Sequence, residues 1–425
     1  MKRAASSDVS EAKGNKKSKQ SSLLDAFGGG NTASKKQKIQ STWKNYGDAV
    51  KGLKPLSYMT CKDLEGSTKI AGFDMDGCLI VPKSNAKFPK NADDWKFMLS
   101  QVQPKLKALR GDGYKVVIFT NQAGIEKNKA KESDIQGKIT KMMNELGFPV
   151  QAFISTGENV YRKPYTGSWD FMASNCNEGI TIDKENSFFV GDASGRPKDW
   201  QKGKKKDHSC SDRKFAANVG VRFYTPEEYF LGMKAFSRFE WGSINPKTLL
   251  SSAQNLDVKQ FEDITSKDTE LVILVGFPAS GKSTFAKCYL ESKGYVVVNR
   301  DTLKTQEKCE KTVHEALKAK KSVAVDNTNP SKEARQAYVK IAKTYNMPVR
   351  CFQFDVTIEA AKHMNFYRQL ITNGKHRRVP DVGYNVFKSR YVAPDKSEGF
   401  KEIVKIPFIP TFDGDEEKEK FLHWT

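Results

Sequence analysis

Between residues 68 and 191, short apolar runs alternate with stretches of helical period. Thr68–Asp74, Tyr114–Thr120, Val150–Ser155 and Ser187–Gly191 predict strands, and helices are expected over 93–109, 131–146 and 166–175. The same alternation returns at Glu270–Gly276, Tyr295–Asn299, Ser322–Asp326 and Pro348–Asp355, with a helical run over 283–292 behind the first of these. Strands alternating with helices at this spacing predict parallel α/β sheets. A looser stretch, 231–268, separates the two sets. Residues 1–40 are rich in Lys, Ser, Gly and Gln, with a Gly28-Gly29-Gly30 run, and show almost no apolar period. Such a segment buries too little surface to offset its ordering entropy, so a disordered tail is expected. The predicted organisation is a basic tail (1–40), one α/β domain (41–235), a linker leading into a second (236–268), and the rest of that second domain (269–425).

Composition sharpens this picture. The 425 residues carry 71 Lys plus Arg against 50 Asp plus Glu, a net charge of +21. The tail, with nine basic and three acidic residues, holds +6 of it, leaving +15 on the remainder. A polyanionic partner fits that excess, although charge alone does not separate nucleic acid from simple solubility. No run approaches the ~20 apolar residues of a membrane helix. The N-terminus lacks the apolar centre of a secretory signal, so no membrane association is expected. Seven cysteines, an odd number without any C-x-x-C spacing, predict reduced thiols in an intracellular compartment and argue against structural zinc.

Candidate chemistry gathers at strand ends, where α/β sheets place their sites. Asp74-Met-Asp76-Gly follows the first strand, Thr120-Asn121-Gln122 the second, Arg162-Lys163-Pro164 the third and Gly191-Asp192 the fourth. This order of Asp-x-Asp, Thr, Lys and Gly-Asp resembles the haloacid-dehalogenase superfamily of aspartyl-phosphate phosphatases. The resemblance implies a Rossmann-like fold with Asp74 as nucleophile and Asp76 as general acid and base. Thr120 and Lys163 would stabilise the phosphoryl charge. Mg²⁺ would be held by Asp74, Asp192 and the Asp76 carbonyl, an oxygen-only set suited to that ion. Asn121 and Asp212 are further candidates. Cys78 stands where the superfamily usually has Thr and reads as a small buried residue. Only about forty residues separate Asp76 from Thr120 and Thr120 from Lys163. A cap could therefore only be small, and an open cleft suits a polymer end.

A second site follows the strand Leu271–Val275. Gly276-Phe-Pro-Ala-Ser-Gly281-Lys282-Ser283-Thr284 fits G-x-x-x-x-G-K-[ST] between a strand and a helical run. The loop and helix N-terminus would cradle phosphates; Lys282 would reach the β and γ phosphates of ATP, and Ser283 would ligate Mg²⁺. Asp301, after the next strand, stands where a base would receive an acceptor hydroxyl's proton. Asp326 would hold a metal-bound water or order Asp301. Arg368, on a polar helical stretch starting at His363, would fold over the γ-phosphate.

Together the two halves resemble eukaryotic polynucleotide kinase 3′-phosphatase over roughly residues 41–410. The resemblance rests on Gly191–Pro197, Lys204–Arg213, Thr225–Phe230, Val275–Thr284, Val298–Thr302, Val325–Pro330, Glu398–Phe400 and Ile406–Phe408. It implies hydrolysis of DNA 3′-phosphates and ATP-dependent phosphorylation of 5′-hydroxyls, by a P-loop kinase with a parallel central sheet. Where the family has an arginine near Arg368, this chain has Phe366. The alternatives are an RNA end-healing enzyme and a non-catalytic scaffold on DNA ends. DNA contact is expected from Arg196, Lys198, Trp200, Lys204 and Lys205 near the first site, phosphates positioning the strand and Trp200 stacking on a base, and from Arg300 and Lys304 near the second. Animal members carry a forkhead-associated domain that the forty tail residues could not form, so a different recruitment is expected. Lys2-Arg3 with Lys16-Lys17-Ser18-Lys19 resembles a two-part nuclear import signal. Gln20–Phe27 distantly resembles a sliding-clamp peptide. A nuclear monomer is expected, recruited through the tail by a repair factor or clamp.

Overall fold

The computed structural model describes residues 38–47, 56–253, 261 and 263–425; the basic tail and its two motifs lie outside them. The first half runs β1 (Ser41–Tyr46), β2 (Leu56–Cys61), β3 (Lys69–Phe73), β4 (Ile80–Val81), β5 (Lys96–Phe97), α1 (Val102–Gly111), β6 (Tyr114–Asn121), α2 (Glu132–Leu146) and β7 (Gln151–Ser155). It continues with α3 (Gly167–Asn175), β8 (Phe188–Val190), α4 (Ser211–Val219), β9 (Arg222–Tyr224) and α5 (Pro226–Leu231). Seven of these strands form one sheet, ordered β1-β2-β7-β6-β3-β8-β9. From β7 to β9 it is parallel, and β1 and β2 add an antiparallel edge.

The second half runs α6 (Pro246–Ala253), β10 (Leu271–Val275), α7 (Lys282–Phe285), β11 (Val296–Val298), α8 (Arg300–Leu303), α9 (Gln306–Lys318), β12 (Val323–Val325), α10 (Lys332–Thr344), β13 (Val349–Phe354), α11 (Ile358–Ile371), α12 (Asp381–Arg390), β14 (Glu402–Ile406) and α13 (Asp415–Phe421). Its five strands, ordered β11-β12-β10-β13-β14, are all parallel.

Strands covered on both faces read as unbroken apolar runs, and β10 (LVILV) is buried at every residue. Two buried clusters cover the faces of each sheet. Ile135, Ile139, Met142, Met143 and Leu146 of α2 seal one face of the first, and Trp169, Phe171 and Phe215 of α3 and α4 the other. Truncating one such side chain to Ala costs ~2–5 kcal/mol. All seven cysteines are unpaired, and no helix among the described residues is long and apolar enough to cross a membrane.

Four expectations need correction. The helix predicted over 93–109 begins only at Val102, because Pro104 belongs in a first turn, where no N–H is needed, and its ring would clash with a preceding turn. Upstream, Lys96–Phe97 pairs antiparallel with Ile80–Val81, so the small insert after Asp76 is a hairpin. The first sheet is mixed rather than purely parallel. The helical run over 283–292 is regular only to Phe285 and then widens over Ala286–Leu290 and tightens over Glu291–Lys293. Finally, the loose stretch 231–268 contains α6, whose Leu249 and Leu250 pack with Phe261, Ile264 and the second sheet.

Candidate active sites

The first site forms where β3, β6, β7 and β8 end. The Asp74 N–H still donates to the Val190 carbonyl (2.8 Å), keeping Asp74 in sheet register, while the chain turns away through Gly77 N–H to Ile80 O (2.9 Å). Cys78 is buried inside this turn with its thiol 3.4 Å from the Val190 carbonyl, the small packing residue expected. Lys163 Nζ donates to Asp74 Oδ1 (2.7 Å) and to Asp212 Oδ1 (2.8 Å). Carboxylate oxygens of Asp74, Asp192 and Asp212 lie within 4.8 Å of one another. Asp212 sits in the first turn of α4 and accepts from the Ala193 N–H (3.0 Å). A side chain on Gly191 would place its Cβ 2.3 Å from Asp212 Oδ2, so only glycine lets α4 approach this closely.

Asn121 holds Lys163 from behind: its amide donates to the Lys163 carbonyl (3.0 Å) and accepts from the Lys163 N–H (3.0 Å). Asp76 is exposed at the rim, outside the carboxylate cluster. Its Oδ2 accepts from Gln122 Nε2 (2.7 Å), which also donates to the buried Thr120 Oγ1 (2.9 Å). Gln122 therefore joins Asp76 to Thr120. It was legible only as the residue after Thr120-Asn121 at the same strand end.

Three carboxylates facing one ammonium leave uncompensated negative charge in a buried pocket. Burial pushes Asp74 up to about 7, Lys163 opposing and Asp212 adding. Burial, Asp74 and Asp212 together hold Asp192 well above the usual carboxylate range. Burial alone would depress Lys163, but Asp212 and Asp74 keep it firmly charged. Oxygen-only donors with excess charge suit a hard divalent cation.

In the flanking loop, the residues expected to contact DNA differ in exposure. Arg196 is only 4% exposed, paired with Asp207 (2.9 Å) and Glu227 (2.8 Å), and its guanidinium lies 3.8 Å over the Trp200 ring. Its partners are Asp207 of the same loop and Glu227 of α5, and one face of Trp200 is already covered. Lys198, Lys204 and Lys205 are exposed.

At the second site, Gly281 takes the left-handed conformation (φ +92°) that starts α7. The buried Lys282 ammonium donates to the carbonyls of Gly276 (3.0 Å) and Phe277 and to Ser280 Oγ (3.2 Å). Ser283 and Thr284 are exposed at the start of α7. Burial pushes Lys282 down to about 8; Asp326 and Asp301 oppose this and Arg368 adds to it. Asn299, unmarked in the sequence reading, links the two acids. Its amide donates to Asp326 Oδ2 (2.8 Å) while its Oδ1 accepts from the Asp301 N–H (2.8 Å) and caps α8. Asp301, Arg300 and Lys304 are exposed, and the Lys304 ammonium folds onto the Asp301 carbonyl. Arg368 is half-buried, with Nε lacking a partner, an orphaned donor that suits an anionic ligand.

Fold and sites thus define a haloacid-dehalogenase-type phosphatase joined to a P-loop kinase. The family model described as polynucleotide kinase 3 phosphatase matches residues 69–230, and an AAA domain model matches 271–394. A bifunctional polynucleotide phosphatase/kinase of Schizosaccharomyces pombe is 40% identical, covering 81% of each chain. Polynucleotide 3′-phosphatases of Arabidopsis thaliana (42% identical, 40% of this chain, 25% of theirs) and Saccharomyces cerevisiae (28%, 40% and 90%) are also similar. The chain belongs to the bifunctional polynucleotide phosphatase/kinase family.

Proposed function

We propose that the chain heals DNA ends, removing 3′-phosphates at the first site and phosphorylating 5′-hydroxyls from ATP at the second. The observation that carries this reading is the convergence of Asp74, Asp192, Asp212 and Lys163 in the same chain as the Gly276–Thr284 loop.

At the first site, Asp74 attacks the phosphorus and the bond to the 3′ oxygen breaks, leaving an acyl phosphate on Asp74. Asp76, held by Gln122, gives its proton to the departing oxygen and then takes one from the water that splits the acyl phosphate. Thr120 and Lys163 donate to the phosphoryl oxygens. Asp74, Asp192 and the Asp76 carbonyl, backed by Asp212, would hold Mg²⁺, which supplies the positive charge that lets an anionic nucleophile meet a phosphate dianion.

At the second site, Asp301 takes the proton of the 5′-hydroxyl as its oxygen attacks the γ-phosphorus of ATP, and ADP departs. The N–H groups at the end of the loop, at Ala279 and Gly281, and Lys282 hold the phosphates, Ser283, followed by Thr284, would ligate Mg²⁺, and Arg368 offers its free Nε to the γ-phosphate. Asp326 orders Asp301 through Asn299. Lys198, Lys204 and Lys205 at one site, and Arg300 and Lys304 at the other, contact strand phosphates and make binding salt-dependent. We take 41–235 as the phosphatase domain and 236–425 as the kinase with its lead-in; the basic tail supports nuclear import.

Two variants test the two-site reading. Asp74→Asn is expected to end 3′-phosphate release and spare ATP-dependent phosphorylation, and Lys282→Ala to do the opposite. Loss of both activities from either folded variant contradicts it. Comparing DNA and RNA ends at equal salt tests the choice of polymer.

A further inference from the structure

The segment carrying Lys163 is gripped from the kinase half. Tyr165, two residues beyond Lys163, stacks flat on Phe366 of α11, with centroids 3.7 Å apart and planes 5° from parallel. The Tyr165 hydroxyl donates to Gln369 Oε1 (2.6 Å), also of α11, and lies 3.3 Å from the Phe366 carbonyl. Gln369 in turn donates to the Glu158 carbonyl (3.3 Å). All three side chains in this contact are at most 3% exposed. Between Lys163 and Tyr165, the Pro164 carbonyl accepts from Asn218 of α4 (2.9 Å), the helix that bears Asp212. Asn218 is itself fixed by the backbone of Trp424, accepting from its N–H (2.7 Å) and donating to its carbonyl (3.0 Å). The Trp424 ring stacks on Trp241 at 4.0 Å.

A lysine ammonium on a flexible stem serves a phosphoryl group only if its backbone is held still, and a misplacement of ~1 Å can cost ~10²-fold in rate. Asn121 fixes one side of the Lys163 backbone from within the phosphatase half. On the other side, the chain immediately following is held by a stacked ring and a hydroxyl hydrogen bond to Gln369, both on α11. We propose that Phe366 is a positioning residue for the phosphatase site: by clamping Tyr165 it sets where the Lys163 ammonium sits between Asp74 and Asp212. This rests on the reading of Lys163 as the phosphoryl-stabilising lysine. Because α11 also bears Arg368, the helix that serves the kinase site is part of the frame of the phosphatase site.

The test uses the full chain, Mg²⁺ and a DNA oligonucleotide ending in a 3′-phosphate. Phe366→Ala should lower kcat for phosphate release by ~10-fold with KM changed less than about twofold. Phe366→Tyr, which keeps the flat ring, should restore kcat to within about twofold. Tyr165→Phe, which keeps the stack and loses the hydroxyl's bonds, should fall between them and guards against a Phe366→Ala chain that does not fold. In a Lys163→Ala background, Phe366→Ala should have no further effect, since the residue it positions is gone. A folded Phe366→Ala variant with the parent kcat, or one that lowers the Lys163→Ala rate as much as the parent rate, overturns the proposal. A parent chain that releases no phosphate overturns instead the reading of the site on which the proposal rests.

Discussion

The two phosphate-handling sites are built by opposite strategies. In the first half the machinery arrives from four strand ends and a helix, and Asp74, Lys163, Asp192 and Asp212 are packed into a tight, largely buried cluster with excess negative charge. In the second, one loop between β10 and α7 leads to the buried Lys282, and Asp301, Ser283 and Thr284 stand exposed beside it. A nucleophile that forms a covalent intermediate has to be pre-set against its partners, whereas a kinase needs chiefly to hold and orient two substrates. The first site should therefore be brittle and cation-dependent in its fold, and the second tolerant.

The sharpest break of that contrast is charge removal in the cluster. Lys163→Ala or Asp212→Asn should lower 3′-phosphate release by ~10²–10³-fold while 5′ phosphorylation stays within about twofold. Steady-state rates on the two ends decide it, and an Asp212→Asn variant with near-parent phosphatase activity would detach α4 from the site. Gln122→Ala should cost ~10-fold in the same reaction, because Asp76 keeps its carboxylate but loses the donor that aims it. Mg²⁺ should raise the unfolding temperature of the phosphatase half by roughly 5 °C, and a chelator should reverse this, since the ion relieves the crowding of buried carboxylates. Differential scanning calorimetry of parent and Asp192→Asn chains checks this; the shift should vanish in the variant.

The last effect falls in the kinase half and touches stability rather than rate. His363 of α11 is buried against the edge of Phe421, near His423, and burial holds its imidazole down to about 4. Unfolded, it would titrate near ~6.5, so as pH falls the unfolded chain takes up the proton first. Stability from this group is nearly constant above about 6.5 and declines by ~3 kcal/mol by pH 4. Urea unfolding of the parent and His363→Gln between these pH values should show the parent losing more.

Much of this was legible because physics wrote it locally. The buried parallel strands read as apolar runs, and the P-loop and Asp-x-Asp stand directly at their ends. Strands β1, β9 and β14 were missed because sheet edges are short and tolerate polar residues, as in Arg222-Phe-Tyr and Glu402-Ile-Val-Lys-Ile. Asp212 read only as a lesser candidate, since its place depends on Gly191 admitting α4, a contact across twenty-one residues of chain. The pairing of Arg196 with Asp207 and Glu227 was not legible either, since both acids are distant in sequence. The stretch of α11 around Arg368 reads as polar, yet much of it is buried. It is buried because Phe366 and Gln369 meet the phosphatase half while His363 and Tyr367 meet Phe421.

One incubation tests the central claim most directly. The full chain, ATP and Mg²⁺ are mixed with a nicked DNA duplex bearing a 3′-phosphate and a 5′-hydroxyl, and both termini are followed with time. The account predicts that the 3′-phosphate is released and the 5′-hydroxyl becomes phosphorylated, with only the second change requiring ATP. Failure of either terminus to change, or ATP dependence of both, would contradict it.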